Sequence, residues 1–91
     1  MWETVDPDGQ RVVLTLDRWR HIAVEHSELG DIRKALLRTI AEPHRRIRGR
    51  VPGEEWFYRQ GIGPTRWVRV VVHYGPEGGR IVTAFPRRRF P

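Results

Sequence analysis

The hydrophobic period changes twice along this chain, and each change falls at a residue able to enforce it. Trp2 to Val5 and Arg11 to Leu14 read as two short strands. Asp6-Pro7-Asp8-Gly9 turns between them, because Pro fixes φ and Gly takes the positive φ that closes the loop. At Thr15 the period lengthens. The Thr15 hydroxyl can accept from a free N–H of a first helical turn, Leu14 and Trp19 are spaced as a hydrophobic staple, and Asp17 suits the helix dipole. Trp19, Ile22, Ala23 and His26 then follow at the spacing of one helix face, with Val24 off that stripe. Ser27 to Gly30 ends the helix. A second begins at Gly30 or Asp31, carries Ile32, Ala35, Leu36 and Ile40 on its apolar side, and stops at Pro43, whose ring cannot continue the ladder.

Beyond Pro43 the period returns to two. Arg45 to Arg50 is a weak, basic strand with Ile47 as its anchor, and Val51-Pro52-Gly53 turns. Glu55 to Gln60 is an aromatic strand, followed by a loop at Gly61-Ile62-Gly63-Pro64. Arg66 to Tyr74 alternates most clearly, with Val68, Val70, Val72 and Tyr74 on one face and Trp67, Arg69, Val71 and His73 on the other. Gly75 to Gly79 turns again. Arg80 to Phe85 is the last strand, with Ile81, Thr83 and Phe85 sharing a face, and a basic tail closes the chain. A hairpin, two helices and a meander predict one α+β domain over residues 1–91. Two N-terminal helices pack on one face of a four- to five-stranded antiparallel sheet, beside a short N-terminal hairpin. Residues 87–91 form the tail.

Charge is unevenly placed. The net charge is +6. Residues 1–42 hold six basic and eight acidic side chains, whereas residues 43–91 hold eleven basic and three acidic. A polyanion binding the C-terminal half is the expectation, although sixteen of the seventeen basic residues are Arg, which a coding bias would also produce. The absence of cysteine excludes disulfides and cysteine-ligated metal centres. No apolar run is long enough to span a bilayer, and Met1-Trp2-Glu3 lacks the basic flank and apolar run of a secretory signal. A cytoplasmic protein is expected, with no membrane partner.

Four histidines are available for chemistry: His21, His26, His44 and His73. His21 and His26 point about 140° apart on one helix and cannot chelate one ion together, so neither a metal nor another cofactor is expected. His26 lies on the apolar stripe, where a core or helix-end role is the plain reading; for His21 the plain reading is solvent exposure. Either could instead move protons at a sheet edge. With the helices on the Val68 side, Arg69 and His73 project from the opposite side, where Arg can fork two phosphate oxygens. The aromatic strand adds either Trp56 and Tyr58 or Phe57 and Arg59 to that side, which makes a stacking and phosphate-binding surface or an ordinary half-exposed sheet face. Arg87, Arg88 and Arg89 offer further charge for phosphates. No phosphate-binding glycine loop, cysteine nucleophile or nucleophile elbow is present.

Trp19-Arg20-His21-Ile22, His26-Ser27-Glu28-Leu29, Pro43, the Val-rich strand and Ile81-Val82-Thr83-Ala84-Phe85-Pro86 together resemble the small phage- and toxin-associated domains of the barnase–EndoU–colicin–RelE superfamily. The resemblance runs from Leu14 to Pro86. It implies two helices on an antiparallel sheet and metal-independent RNA cleavage, in which a 2′-hydroxyl attacks the adjacent phosphate. It also implies a site served by a helix histidine, basic residues of the middle strands and a hydroxyl of the last strand. By position these are His21 or His26, Arg69 and Thr83, with Arg59 or Tyr58 nearby. His73 and Arg87 to Arg89 would contact the RNA. Two other expectations use the same surface: a nucleic-acid-binding module without catalysis, and a protein-interaction domain such as the partner of an antitoxin.

Overall fold

The hairpin, the helices and the meander all form, and every strand joins one sheet. The computed structural model describes residues 1–26, 32–61 and 65–91. Strands β1 (Trp2–Val5) and β2 (Arg11–Leu14) pair antiparallel around the turn closed by Gly9 at φ +87°. Helix α1 (Leu16–Glu25) starts at Thr15, whose hydroxyl accepts from the Arg18 N–H at 3.1 Å. Helix α2 (Arg33–Ala41) is preceded by Ile32, which provides no side-chain cap. The expected helix end at Ser27 to Gly30 and helix start at Gly30 or Asp31 lie outside the described residues, as does most of the Gly61–Pro64 loop. Strands β3 (Arg45–Arg48), β4 (Glu54–Gln60), β5 (Trp67–Gly75) and β6 (Gly78–Arg87) form the antiparallel meander.

Two features of the expected fold are corrected. The sheet has six strands in the order β1-β2-β6-β5-β4-β3, and it is mixed, because β2 runs parallel to β6 through Val12↔Gly79 and Val13↔Arg80. A hairpin at the N-terminus gives no local signal of its distant partner, whereas a meander does. The helices also divide their work. α2 packs against β1, β4 and β5, while α1 packs against β6. The core between them contains Val12, Leu14, Ile22, Leu36, Ile40, Phe57, Val68, Val70, Val72, Ile81 and Ala84, with Trp19 and Trp2 partly buried at its margin. Thr39 is buried in α2, where its hydroxyl donates to the Ala35 carbonyl at 2.8 Å. Among the described residues no helix is long and apolar enough to cross a membrane.

A bulge re-phases the last strand. Val71 pairs with Thr83, but Val72 pairs with Ile81, so Val82 is the extra residue. Ile81 therefore turns into the core at 1% exposure, while Thr83 and Phe85 face the other way. The expectation that Ile81, Thr83 and Phe85 share one face fails for this reason. Strand β6 also continues to Arg87, one residue into the expected tail.

One polar cluster ties the hairpin turn to the rest of the sheet. Asp6 is buried. Its carboxylate accepts from the Asp8 and Gln10 N–H groups, both at 2.9 Å, and from the Tyr74 hydroxyl at 2.6 Å. Arg46 of β3 reaches the same place, 3.4 Å from Asp6, 2.7 Å from Asp8 and 2.6 Å from Glu55. Burial alone would raise the Asp6 carboxyl, but the bonds from Tyr74, Gln10 and Asp8 and the Arg46 charge outweigh it and hold the group below its ordinary range. A carboxylate with a depressed pKa stabilises the fold above its unfolded pKa of ~3.9, and that contribution is lost as pH falls through the folded value. Asp6→Ala should cost ~2–3 kcal/mol at pH 7, since it strands the Tyr74 hydroxyl and two turn N–H groups. Urea unfolding at pH 7 and pH 3 checks this: the gap between the variant and the native chain should be smaller at the acid end.

Candidate functional site

The face of the sheet opposite α2 gathers arginines and aromatic rings by strand register. Tyr58 stands directly across from Arg69, Trp56 across from Val71, and Phe85 across from Arg69 on the other side. Of the two alternatives for the aromatic strand, the Trp56 and Tyr58 pair therefore shares the face of Arg69. Arg69 is only 8% exposed. Its Nε donates to the Tyr58 hydroxyl at 2.8 Å. Its guanidinium carbon lies 3.9 Å from the centre of the Trp56 ring, 5.1 Å from Phe85 and 5.3 Å from Tyr58. None of the ion pairs among the described residues includes Arg69. The ring quadrupoles attract the cation without neutralising it.

The histidines separate clearly. His26 caps the C-terminal end of α1, and its ring lies 5.9 Å from that of Phe85. His26 and Arg69 thus both lie near one ring. Thr83 lies two residues from Phe85 on the same face, opposite Val71. His21 is on the exposed side of α1, with its Nε2 3.3 Å from the Glu25 carboxylate one turn on. His44 accepts from the Gln60 N–H at 2.9 Å, a structural role at the start of β3. His73 is half-buried on the Arg69 face, four residues further along β5 and opposite Arg80. Among the described residues no group of three His, Asp or Glu side chains is placed to hold a metal ion.

Three expected contacts have other roles. Arg59 pairs with Val68 and so projects to the opposite face, where it donates to the Glu42 carbonyl at the end of α2. A cation there suits the negative end of the helix. Tyr58 is fully buried rather than a free stacking platform: Phe90 and Trp67 meet it edge-on at 4.7 and 6.2 Å. Its hydroxyl positions Arg69 instead. Arg87 lies within β6, bonds the Pro91 carbonyl at 2.8 Å and has a buried Nε without a partner. Arg88 and Arg89 are exposed, as expected of tail residues. Two contributors were not foreseen. Phe90 packs on Trp67 at 5.5 Å, and Arg45, across from Tyr58 in β3, stands 5.7 Å from the Phe90 ring. A four-residue strand gave too little alternation to phase Arg45, and an aromatic in a polar tail carries no periodic signal.

No protein-family model, curated protein or solved structure matches this chain. The site therefore rests on its own residues, with Arg69 at its centre. A buried guanidinium without a counter-charge contributes little to folding. Arg69→Met should change the unfolding free energy by less than ~1 kcal/mol, because relief of the guanidinium's burial offsets the loss of the Tyr58 hydroxyl's partner. Tyr58→Phe, which leaves the Arg69 Nε unsatisfied, should cost ~1–2 kcal/mol. Combining the two should recover most of that loss, because the stranded donor is gone. Urea melts of the three variants measure the coupling.

Proposed function

We propose that this domain is a metal-independent endoribonuclease that cuts single-stranded RNA on the Arg69 face of the sheet. The observation that carries the reading is that His26 and Arg69 both lie close to Phe85, at 5.9 and 5.1 Å, with Thr83 two residues along. The resemblance to the barnase–EndoU–colicin–RelE superfamily agrees with it in residue type and in element.

The chemistry follows from those groups. His26 removes the proton of a 2′-hydroxyl, and that oxygen attacks the adjacent phosphorus. The bond to the 5′-oxygen breaks, a 2′,3′-cyclic phosphate remains, and the departing oxygen takes a proton from solvent. Arg69 faces the negative charge that develops on the phosphorane. The Thr83 hydroxyl donates to a non-bridging oxygen. Trp56 and Phe85 provide flat apolar surfaces for bases. Non-catalytic binding of the same strand is the second reading, supported by the depth at which Arg69 lies beneath Trp56.

Cleavage of a labelled single-stranded RNA should persist in excess EDTA. His26→Ala should slow it ~10²–10⁴-fold, the usual contribution of a general base, while His21→Ala should stay near the native rate. Arg69→Ala should lower turnover more than binding. Circular dichroism establishes that each variant folds. A requirement for magnesium, or a folded His26→Ala that cuts at the native rate, overturns the mechanism. Binding without cleavage transfers the site to the second reading.

A further inference from the structure

The Arg69 face continues beyond the proposed scissile position to a cavity at the β5–β6 hairpin. This cavity, of ≈ 520 Å³, is lined by Arg11, Val13, His73, Glu77, Arg80 and the hairpin glycines. Register explains why its cations meet. His73 and Arg80 stand directly across from one another, and Arg80 neighbours Val13 of β2, two residues from Arg11. Arg11 is engaged by Glu3. Arg80 is exposed and takes part in none of the ion pairs among the described residues. Glu77 is the one carboxylate in the lining.

The cavity and Arg69 lie on one side of one strand. Arg69 and His73 are four residues apart in β5, roughly 13 Å at the rise of an extended strand. Val71, flanked by Trp56 and Thr83, occupies the interval. That separation is too long for two cation sites to share one phosphodiester, but it suits phosphates about two nucleotides apart on one strand laid along β5.

We infer that the Arg80–His73 cavity is a second phosphate subsite, which makes an oligonucleotide rather than a dinucleotide the favoured ligand. The inference rests on the proposed RNA-binding face. Arg80 supplies the charge and His73 a hydrogen bond, and the interval between subsites holds the intervening nucleotides against Trp56 and Val71. The site thereby measures strand length in addition to recognising a phosphate.

Fluorescence anisotropy with 2′-O-methyl oligouridylates of two and eight residues tests this, since the methyl group blocks cleavage and isolates binding. The native chain should hold the octamer more tightly than the dimer. Arg80→Ala should weaken the octamer ~3–5-fold, as for one exposed ionic contact. It should also lower the slope of log affinity against log salt by ~0.7, the value for one phosphate on a single strand. Arg80→Lys should restore both. Lys34→Ala, which removes one charge on α2, should leave the octamer-to-dimer ratio as it is. A ratio unchanged by Arg80→Ala, or lowered as much by Lys34→Ala, overturns the subsite. With unmodified octamer, Arg80-dependent binding without cleavage refutes the nuclease reading and upholds the subsite. Cleavage whose length preference ignores Arg80 refutes the subsite alone.

Discussion

The close approach of β2 to β6 over two glycines is the constraint from which the rest of this architecture follows. A Cβ at Gly78, which sits at φ +114°, would come within 2.6 Å of the Arg11 carbonyl oxygen. One at Gly79 would come within 2.8 Å of a Val72 methyl and 3.1 Å of a Val12 methyl. Real side chains do not tolerate such distances, so only glycine admits the hairpin to the sheet here. The parallel pairing lasts two residue pairs and then ends, because β2 stops at Leu14 and Thr15 starts α1. The β6 edge beyond Arg80 is thus left for the helix, and α1 packs against that strand. Its length brings His26 to the level of Phe85. Without the glycine pair the histidine would have no fixed relation to Arg69.

Local signals in this sequence were legible wherever one residue type enforced one geometry. Thr15 caps, Pro43 stops, Gly9 turns, and the Val68–Val72 alternation sets both faces of β5. Long-range choices were not. Gly78-Gly79 reads as the end of a turn, and nothing nearby shows that a strand sixty-seven residues upstream needs the missing side chains. The bulge at Val82 was equally silent, since Ile81-Val82-Thr83 is a plausible uninterrupted strand. It matters for the site, because it sends Ile81 to the core and leaves Thr83 beside Phe85. Arg59 or Tyr58 was expected on the Arg69 face, because alternation allows only one of them there, and the sequence left the choice open. The Tyr58 hydroxyl bond to Arg69 decides which.

Polar groups divide between the two faces in a way the overall charge does not suggest. Three carboxylates, those of Asp6, Asp8 and Glu55, converge on one guanidinium on the α2 side. Arg45, Arg69 and Arg87 share the other side, and none of them is in an ion pair among the described residues. The acidic residues of the N-terminal hairpin are therefore consumed internally. Glu54, across from His73, is a carboxylate on the aromatic side, and it accepts from the Trp56 Nε1–H at 2.8 Å.

Two arginines make the contrast quantitative. Arg46 lies over Phe57 at 4.8 Å and Tyr74 at 5.9 Å, and Arg69 lies over Trp56 at 3.9 Å and Phe85 at 5.1 Å. Both have an aromatic bed, which is worth ~0.5–2 kcal/mol for a desolvated cation. Taking a guanidinium out of water costs several kcal/mol, so the bed alone does not balance it. At Arg46 carboxylates supply the remainder, and that side chain closes the fold. At Arg69, which is the more deeply buried of the two, the hydrogen-bond partner among the described residues is a tyrosine hydroxyl. The terminal nitrogens of Arg69 are not among the buried groups left without a partner; of the described residues, that group is the Arg87 Nε. Using the same residue type in the same kind of aromatic bed, the fold surrounds Arg46 with carboxylates and, among the described residues, leaves Arg69 without one.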